Sequence, residues 1–192
     1  RFICGLRRRW PKAAVRARPA LHCQLRIVDG SGLDVAPGEA GEVLIKGPNV
    51  MYEYWGNEAA TREALRDGWF HSGDIGHLDE DGCLVIDDRK KDVIISGGEN
   101  IYPAELENIL HSLKGVAEAA VVGRKDPRWG ECPVAVIVCH KSDAEALDET
   151  AVLAAFEGRL ARYKHPREVV FVEALPRNVM GKVQKFRLRE MI

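Results

Sequence analysis

Residues 87–107 read DDRKKDVIISGGENIYPAELE, and the change of character inside this stretch decides how the chain divides. Asp87 to Asp92 are all charged, so this segment offers no apolar anchor with which a strand or helix face could hold to a core. From Val93 the apolar residues return. Val93 to Ile95 is a β-branched run that reads as a strand. Pro103 to Leu113 reads as a helix, with proline in its first turn and Leu106, Ile109, Leu110 and Leu113 on one face. The charged segment is therefore the expected boundary, with one domain over residues 21–90 and a second over residues 91–192.

Upstream of the boundary the pattern is β-rich. Gln24 to Asp29 and Gly41 to Lys46 read as strands, separated by the Asp29-Gly30-Ser31-Gly32 turn. Glu58 to Leu65 suits a short helix that Asp67-Gly68 ends. Ile75 to Leu78 and Cys83 to Ile86 flank Asp79-Glu80-Asp81-Gly82, a strong hairpin signal. The stretch from Arg1 to Arg18 stands apart. It holds Arg1, Arg7, Arg8, Arg9, Lys12, Arg16 and Arg18 without one acidic residue, and Pro11 and Pro19 interrupt any amphipathic targeting helix. Residues 1–20 are therefore an atypical segment on which no function is built.

Downstream, strands and helices alternate. Val116 to Val122, Pro133 to Cys139 and Val169 to Val172 read as strands; Glu149 to Arg162 and Gln184 to Met191 read as helices. Two or three helices on one face of a three-stranded sheet give a small α+β module.

Bulk properties exclude several classes of function. The formal net charge is -1 over 192 residues, which lacks the basic footprint of a nucleic-acid binder. Five cysteines are scattered without a C-x-x-C pair, so neither a structural zinc nor a redox pair is indicated. No apolar run reaches the roughly 20 residues of a membrane span. The expected setting is cytoplasmic, with reduced thiols.

Three places could carry chemistry. Ser72-Gly73-Asp74 follows Trp69 and Phe70, and a carboxylate held at a strand edge suits acceptance from two ribose hydroxyls, although a turn aspartate equally bonds nearby backbone. Ser96-Gly97-Gly98 lets backbone approach a ligand closely, or simply turns. Lys182, after Gly181 in a polar loop, offers a mobile ammonium able to meet a phosphate.

Taken in order, GEVLIKGPNVMYEYW (41–55), GWFHSGD (68–74), DDRKKDVIISGGENIYPAELE (87–107), ARYKHPREVVFVEALP (161–176) and PRNVMGKVQK (176–185) resemble the adenylate-forming superfamily of acyl-CoA synthetases, aryl-CoA ligases, luciferases and peptide-synthetase adenylation domains. The resemblance runs from about Leu21 to the end. It implies an α+β fold: the β-rich end of a large adenylation domain (21–90), then a small, mobile carboxyl-terminal domain (91–192).

It also implies a two-step reaction, in which a carboxylate and ATP give an acyl-adenylate and CoA then displaces AMP. By the same resemblance Lys182 is the catalytic residue of the first step, Asp74 holds the ribose hydroxyls, and Arg89 meets the ribose and phosphate. Lys91 is the hinge. Ser96, Gly97, Gly98 and Glu99 line the pantetheine path, with Trp129, Tyr163, His165 and Arg167 at or near CoA. Magnesium is expected with its ligands upstream. The family's phosphate loop and acyl pocket are not in this sequence, so the chain alone is expected to be inactive, with the large upstream domain as its partner. A fatty acid is the expected substrate of the whole enzyme; an aryl-CoA ligase or a non-catalytic remnant are the alternatives.

Overall fold

A computed structural model describes residues 16–140 and 147–192, so most of the atypical basic segment lies outside the described residues. Two compact units divide between Lys91 and Asp92.

The first unit is an antiparallel sheet. β1 (Arg16–Ala17), β2 (Gln24–Val28), β3 (Gly41–Lys46), β5 (Trp69–Leu78) and β6 (Leu84–Arg89) stand in the order β1-β6-β5-β3-β2, with β4 (Leu65–Arg66) added against β5. Alternation puts one side of these strands inward. Ile27, Val43 and Leu84 form the buried centre, with Leu25, Val35, Ile45 and Leu78 packed around it. Helix α1 (Glu58–Ala64) is capped by Asn57, whose Oδ1 accepts from the amide of Ala60 at 3.0 Å. Asp67 and Gly68, at φ 53° and 75°, make the two-residue turn between β4 and β5, the backbone that an Asp-Gly pair favours. In the β5–β6 hairpin, Asp79 Oδ1 accepts from the amides of Asp81 and Cys83, each at 2.9 Å.

One expectation is corrected in this unit. Ser72-Gly73-Asp74 does not precede a strand but lies inside β5. Along the β3–β5 pairing, Glu42 faces Ile75 and Leu44 faces His71, so Ser72, Gly73 and Asp74 together oppose Val43 as a bulge. Gly73 takes φ 69° there, a left-handed conformation that glycine adopts without a Cβ penalty.

The second unit is a mixed sheet of five strands, two more than expected. Its centre is β10 (Gly130–Cys139), antiparallel to β9 (Val116–Asp126) and parallel to β11 (Glu168–Phe171). The hairpin of β7 (Ile94–Ser96) and β8 (Glu99–Ile101) joins at Ser96 opposite Gly130. Helices lie on both faces, not one. α2 (Pro103–His111) and α3 (Glu149–Ala154) cover the side that buries Leu106, Leu110, Val121, Ala135, Ile137, Val152 and Phe156. α4 (Lys185–Met191) covers the other, where Leu188 meets Ala120, Val122 and Val136. Successive residues of β9 and β10 feed opposite cores, as near-continuous apolar runs require when a sheet is covered twice.

Helix α3 is shorter than its amphipathic pattern suggests. After Ala154 the backbone tightens, the amides of Phe156 and Glu157 donating to carbonyls three residues back, and Gly158 turns left-handed at φ 71°. Tyr163 consequently sits in a separate 3-10 turn, Arg162–Lys164.

Candidate functional site

The bulge of β5 explains why Asp74 is held as it is. The Ser72 hydroxyl donates to the Val43 carbonyl at 2.8 Å, taking the place of a ladder bond, and accepts from the Asp74 amide at 3.0 Å. Asp74 then stands opposite Arg89 in the β5–β6 register. Its Oδ1 lies 2.8 Å from Nε of Arg89. The sequence reading placed both residues at one site, and the structure brings them into direct contact. This pairing leaves Oδ2 of Asp74 and the terminal guanidinium nitrogens of Arg89 as the atoms able to meet a ligand.

A few residues away lies a network that sequence reasoning missed. Glu42, on β3, is 8% exposed. Its Oε2 accepts from Nζ of Lys90 at 3.0 Å and stands 3.2 Å from Nδ1 of His71. Burial pushes the Glu42 carboxyl up, but the hydrogen bonds from Lys90 and His71 outweigh it and hold the group below its ordinary range. The one signal in the sequence was an acid set among inward-facing residues of a strand.

In the second unit, Ser96, Gly97, Gly98 and Glu99 form the tip of the β7–β8 hairpin. Gly97 and Gly98 take φ 62° and 87°, the primed two-residue turn. Trp129 packs on this tip. The Gly97 amide donates to its carbonyl at 2.8 Å, and a Cβ on Gly97 would stand 2.8 Å from Cε3 of the indole. Asp126 fixes Trp129 from the other side, its Oδ1 accepting from the amides of Trp129 at 2.9 Å and Arg128 at 2.8 Å. Those two amides hold the Asp126 carboxyl below the usual range. Trp129 is 36% exposed, and the guanidiniums of Arg128 and Arg167 lie 4.9 Å and 5.6 Å from its ring. The result is a half-open aromatic face flanked by two cations.

Arg167 also borders an open groove of about 950 Å³ between α3 and the 3-10 turn, lined in addition by Thr150, Leu153, Glu157, Tyr163 and His165. Tyr163 is exposed on this groove. His165 is committed to the fold: its Nε2 donates to the Leu160 carbonyl at 3.0 Å and its ring lies 5.9 Å from that of Phe156. The structure thus gathers Ser96 to Glu99, Trp129, Tyr163, His165 and Arg167 around one end of the sheet, with His165 supporting the groove wall from inside.

Lys182 is elsewhere. It sits exposed on a loop closed by a bridge between Arg177 and Val183. Asn178 Oδ1 accepts from the amides of Met180 at 3.0 Å and Lys182 at 2.9 Å. Arg177 donates to the Gly181 carbonyl from one terminal nitrogen and reaches Glu118 Oε2 at 2.6 Å from the other. Arg177 and Asn178 stand in the motif that the sequence singled out, but neither they nor Glu118 were given a role there. Glu118 lies near the start of β9 and Asp126 at its end; at about 3.3 Å per residue the two are roughly 26 Å apart. Lys182 and Trp129 therefore occupy opposite ends of one rigid sheet.

Among the described residues no three histidine, cysteine, aspartate or glutamate side chains are gathered to hold a metal ion. None of them is assigned to magnesium, and no step is routed through one. No helix of the described residues is long and apolar enough to cross a membrane.

The family described as AMP-binding enzyme C-terminal domain matches residues 105–182. The chain is 54% identical over 181 residues to an indoleacetate–CoA ligase of Aromatoleum aromaticum, covering 94% of this chain and 35% of that protein. It is 50% identical to a feruloyl-CoA synthase of an Amycolatopsis species, covering 89% and 34%. Among solved structures, an o-succinylbenzoate CoA synthetase of Bacillus subtilis bound to the acyl-adenylate OSB-AMP superposes with a TM-score of 0.82 at 41% identity, covering 90% of this chain and 34% of that one. The same synthetase has been solved with ATP and magnesium. The chain spans about a third of the length of the relatives it matches. Its ordered motifs, its mixed sheet and these likenesses converge: the chain carries the AMP-binding enzyme C-terminal domain of the adenylate-forming superfamily and is similar over most of its length to acyl- and aryl-CoA ligases.

Proposed function

We propose that this chain supplies two alternating faces of the active site of an ATP-dependent acid–thiol ligase. The observation that carries the reading is the separation of Lys182 from the Trp129 cluster at opposite ends of β9 in one compact unit. A single rigid unit cannot present both ends to one bound acyl group at once. It can present them in turn, which suits a reaction in two steps.

In the first step a carboxylate oxygen attacks the α-phosphorus of ATP and the bond to the β-phosphate oxygen breaks, releasing pyrophosphate. Negative charge grows on the α-phosphoryl oxygens, and the Lys182 ammonium stabilises it. Asp74 accepts from the ribose hydroxyls through Oδ2, while Arg89, held by its Nε, turns its terminal nitrogens to ribose and phosphate. In the second step the CoA sulfur attacks the acyl carbon and the bond to AMP breaks. The Gly97-Gly98 tip borders the thiol arm, and the Arg128–Trp129–Arg167 face and the groove beside Tyr163 take the nucleotide end. Residues 21–90 are then the end of a large AMP-binding domain, residues 91–192 are the small mobile domain, and Lys91 is the pivot. Magnesium, when bound, neutralises phosphate charge.

The acid is a carboxylic acid that bears an aromatic ring. Indoleacetate and ferulate, named for the relatives at 54% and 50% identity, support that class over the fatty acid expected from the sequence. A cytoplasmic setting suits the free thiols of Cys23, Cys83, Cys132 and Cys139.

The test is Lys182→Ala in the full-length ligase. ATP–pyrophosphate exchange should fall about 10²- to 10³-fold, as for loss of one transition-state donor, while thioester formation from supplied acyl-adenylate is largely kept. Equal loss of both steps would refute the division of labour.

A further inference from the structure

Glu42 and Lys90 have no part in the chemistry proposed above, yet their geometry is specific. A carboxylate buried in a sheet costs stability unless it is paired. Glu42 is paired, but its main partner is not a neighbouring strand residue. It is Lys90, at the start of the 3-10 turn Lys90–Asp92. The compact unit ends one residue later, after Lys91. The Lys90 side chain is 55% exposed and the Glu42 side chain only 9%, so the buried member is the fixed post and the surface member is what it holds. His71 Nδ1 lies 3.2 Å from the same Glu42 oxygen and 2.9 Å from Nη2 of Arg66. When Nδ1 carries its proton it donates to Glu42 and braces the post; when it does not, it accepts from Arg66.

We propose that Glu42 is a positioning residue that clamps Lys90 to the first unit, so that the backbone is free to turn only from Lys91 onward. This rests on the reading of Lys91 as the pivot. Without the clamp, rotation would spread back over residues 89–91 and disturb Arg89, whose guanidinium is paired with Asp74. The clamp stands one residue beyond Arg89 and isolates the ribose-binding pair from the motion. Its effect is therefore on where the chain bends rather than on whether the sheet forms.

Amide hydrogen exchange on the 192-residue chain at neutral pH separates these effects. Lys90→Met and Glu42→Gln should each speed exchange at residues 89–91 by about fivefold or more, the scale of losing one modest interaction. Val43 and Leu44, in the same sheet, should keep their rates. The double variant should exchange no faster than the faster single, and Lys90→Arg should restore protection. Unchanged exchange at residues 89–91 in Lys90→Met, multiplying effects in the double variant, or equal acceleration at Val43 and Leu44 would overturn the proposal. Lys90 is exposed, so Lys90→Met decides the question even if Glu42→Gln does not fold. Exchange does not depend on catalysis, whereas Lys182→Ala tests the ligase reading without touching the clamp, so failure of one is distinguishable from failure of the other.

Discussion

Nη2 of Arg177 lies 2.6 Å from Oε2 of Glu118, and through that pair the loop bearing Lys182 is tied to the start of β9. Both side chains are about two-fifths exposed, 43% and 40%, so the pair adds little to stability, within about 1 kcal/mol. Its value lies in geometry, because the other terminal nitrogen of Arg177 holds the Gly181 carbonyl. Glu118→Gln should leave the melting temperature nearly unchanged and slow adenylation roughly tenfold, as expected of a displaced catalytic group. Pyrophosphate exchange alongside calorimetry checks both halves; a fall in stability that matches the fall in rate would reduce the pair to a structural tie.

Gly97 and Gly98 look interchangeable in sequence, but their surroundings differ. Both take positive φ, so alanine at either costs about 1 kcal/mol of backbone strain. Only at Gly97 does the new Cβ meet the indole of Trp129, at 2.8 Å; at Gly98 nothing lies within 4 Å. Gly97→Ala should therefore shift the tryptophan emission and raise the KM for CoA more than Gly98→Ala does, with adenylation spared by both. Equal effects from the two substitutions would show that the indole is not the point of contact.

What was legible in the sequence was local. β3 and the first residue of α2 fall where alternation and Pro103 put them, and the hairpin turn at Asp79 follows from residues within four positions of it. The bulge at Ser72 to Asp74 was not legible, because a bulge is defined by what its partner strand does, and Val43 is 29 residues from Ser72. The same reason hid Glu42 from Lys90. Gly97-Gly98 carried a hairpin signal and a ligand signal at once, and the strand on its far side went unread. The second helical face was in principle legible: the apolar runs Ala119 to Val122 and Pro133 to Val138 have no polar side to leave uncovered. For the candidate site, motif order pointed to residues along the chain, but only the folded sheet separates the Lys182 end from the Trp129 end.

Asp126 gives the Trp129 end a pH signature. The amides of Trp129 and Arg128 lower its pKa in the folded state, so between the folded and unfolded values the unfolded chain binds more protons. Its contribution is fully present above the ordinary carboxylate range of about 4 and is lost as pH falls through the lowered folded value. Asp126→Asn removes this titration while keeping an acceptor oxygen for the two amides. Calorimetric melting from about pH 6 down to pH 3 should show a shallower acid loss in the variant than in the wild type; parallel curves would mean that the amides do not favour the charged form.

Lys91→Pro tests the pivot itself. The compact units divide immediately after Lys91, within the 3-10 turn Lys90–Asp92, and a proline there locks φ near −65°. Fold stability should change little, because the substitution lies between two cores rather than within one. Catalysis should divide. Pyrophosphate exchange should continue, while thioester formation, which on the proposed reading needs a turn at this position, should fall by an order of magnitude or more, as for other arrested domain motions. Single-turnover measurements of each step in the full-length ligase resolve the two rates. Retained thioester formation would move the pivot to another residue, and because Lys90 is held by Glu42 at 3.0 Å, the next position to examine would be Asp92.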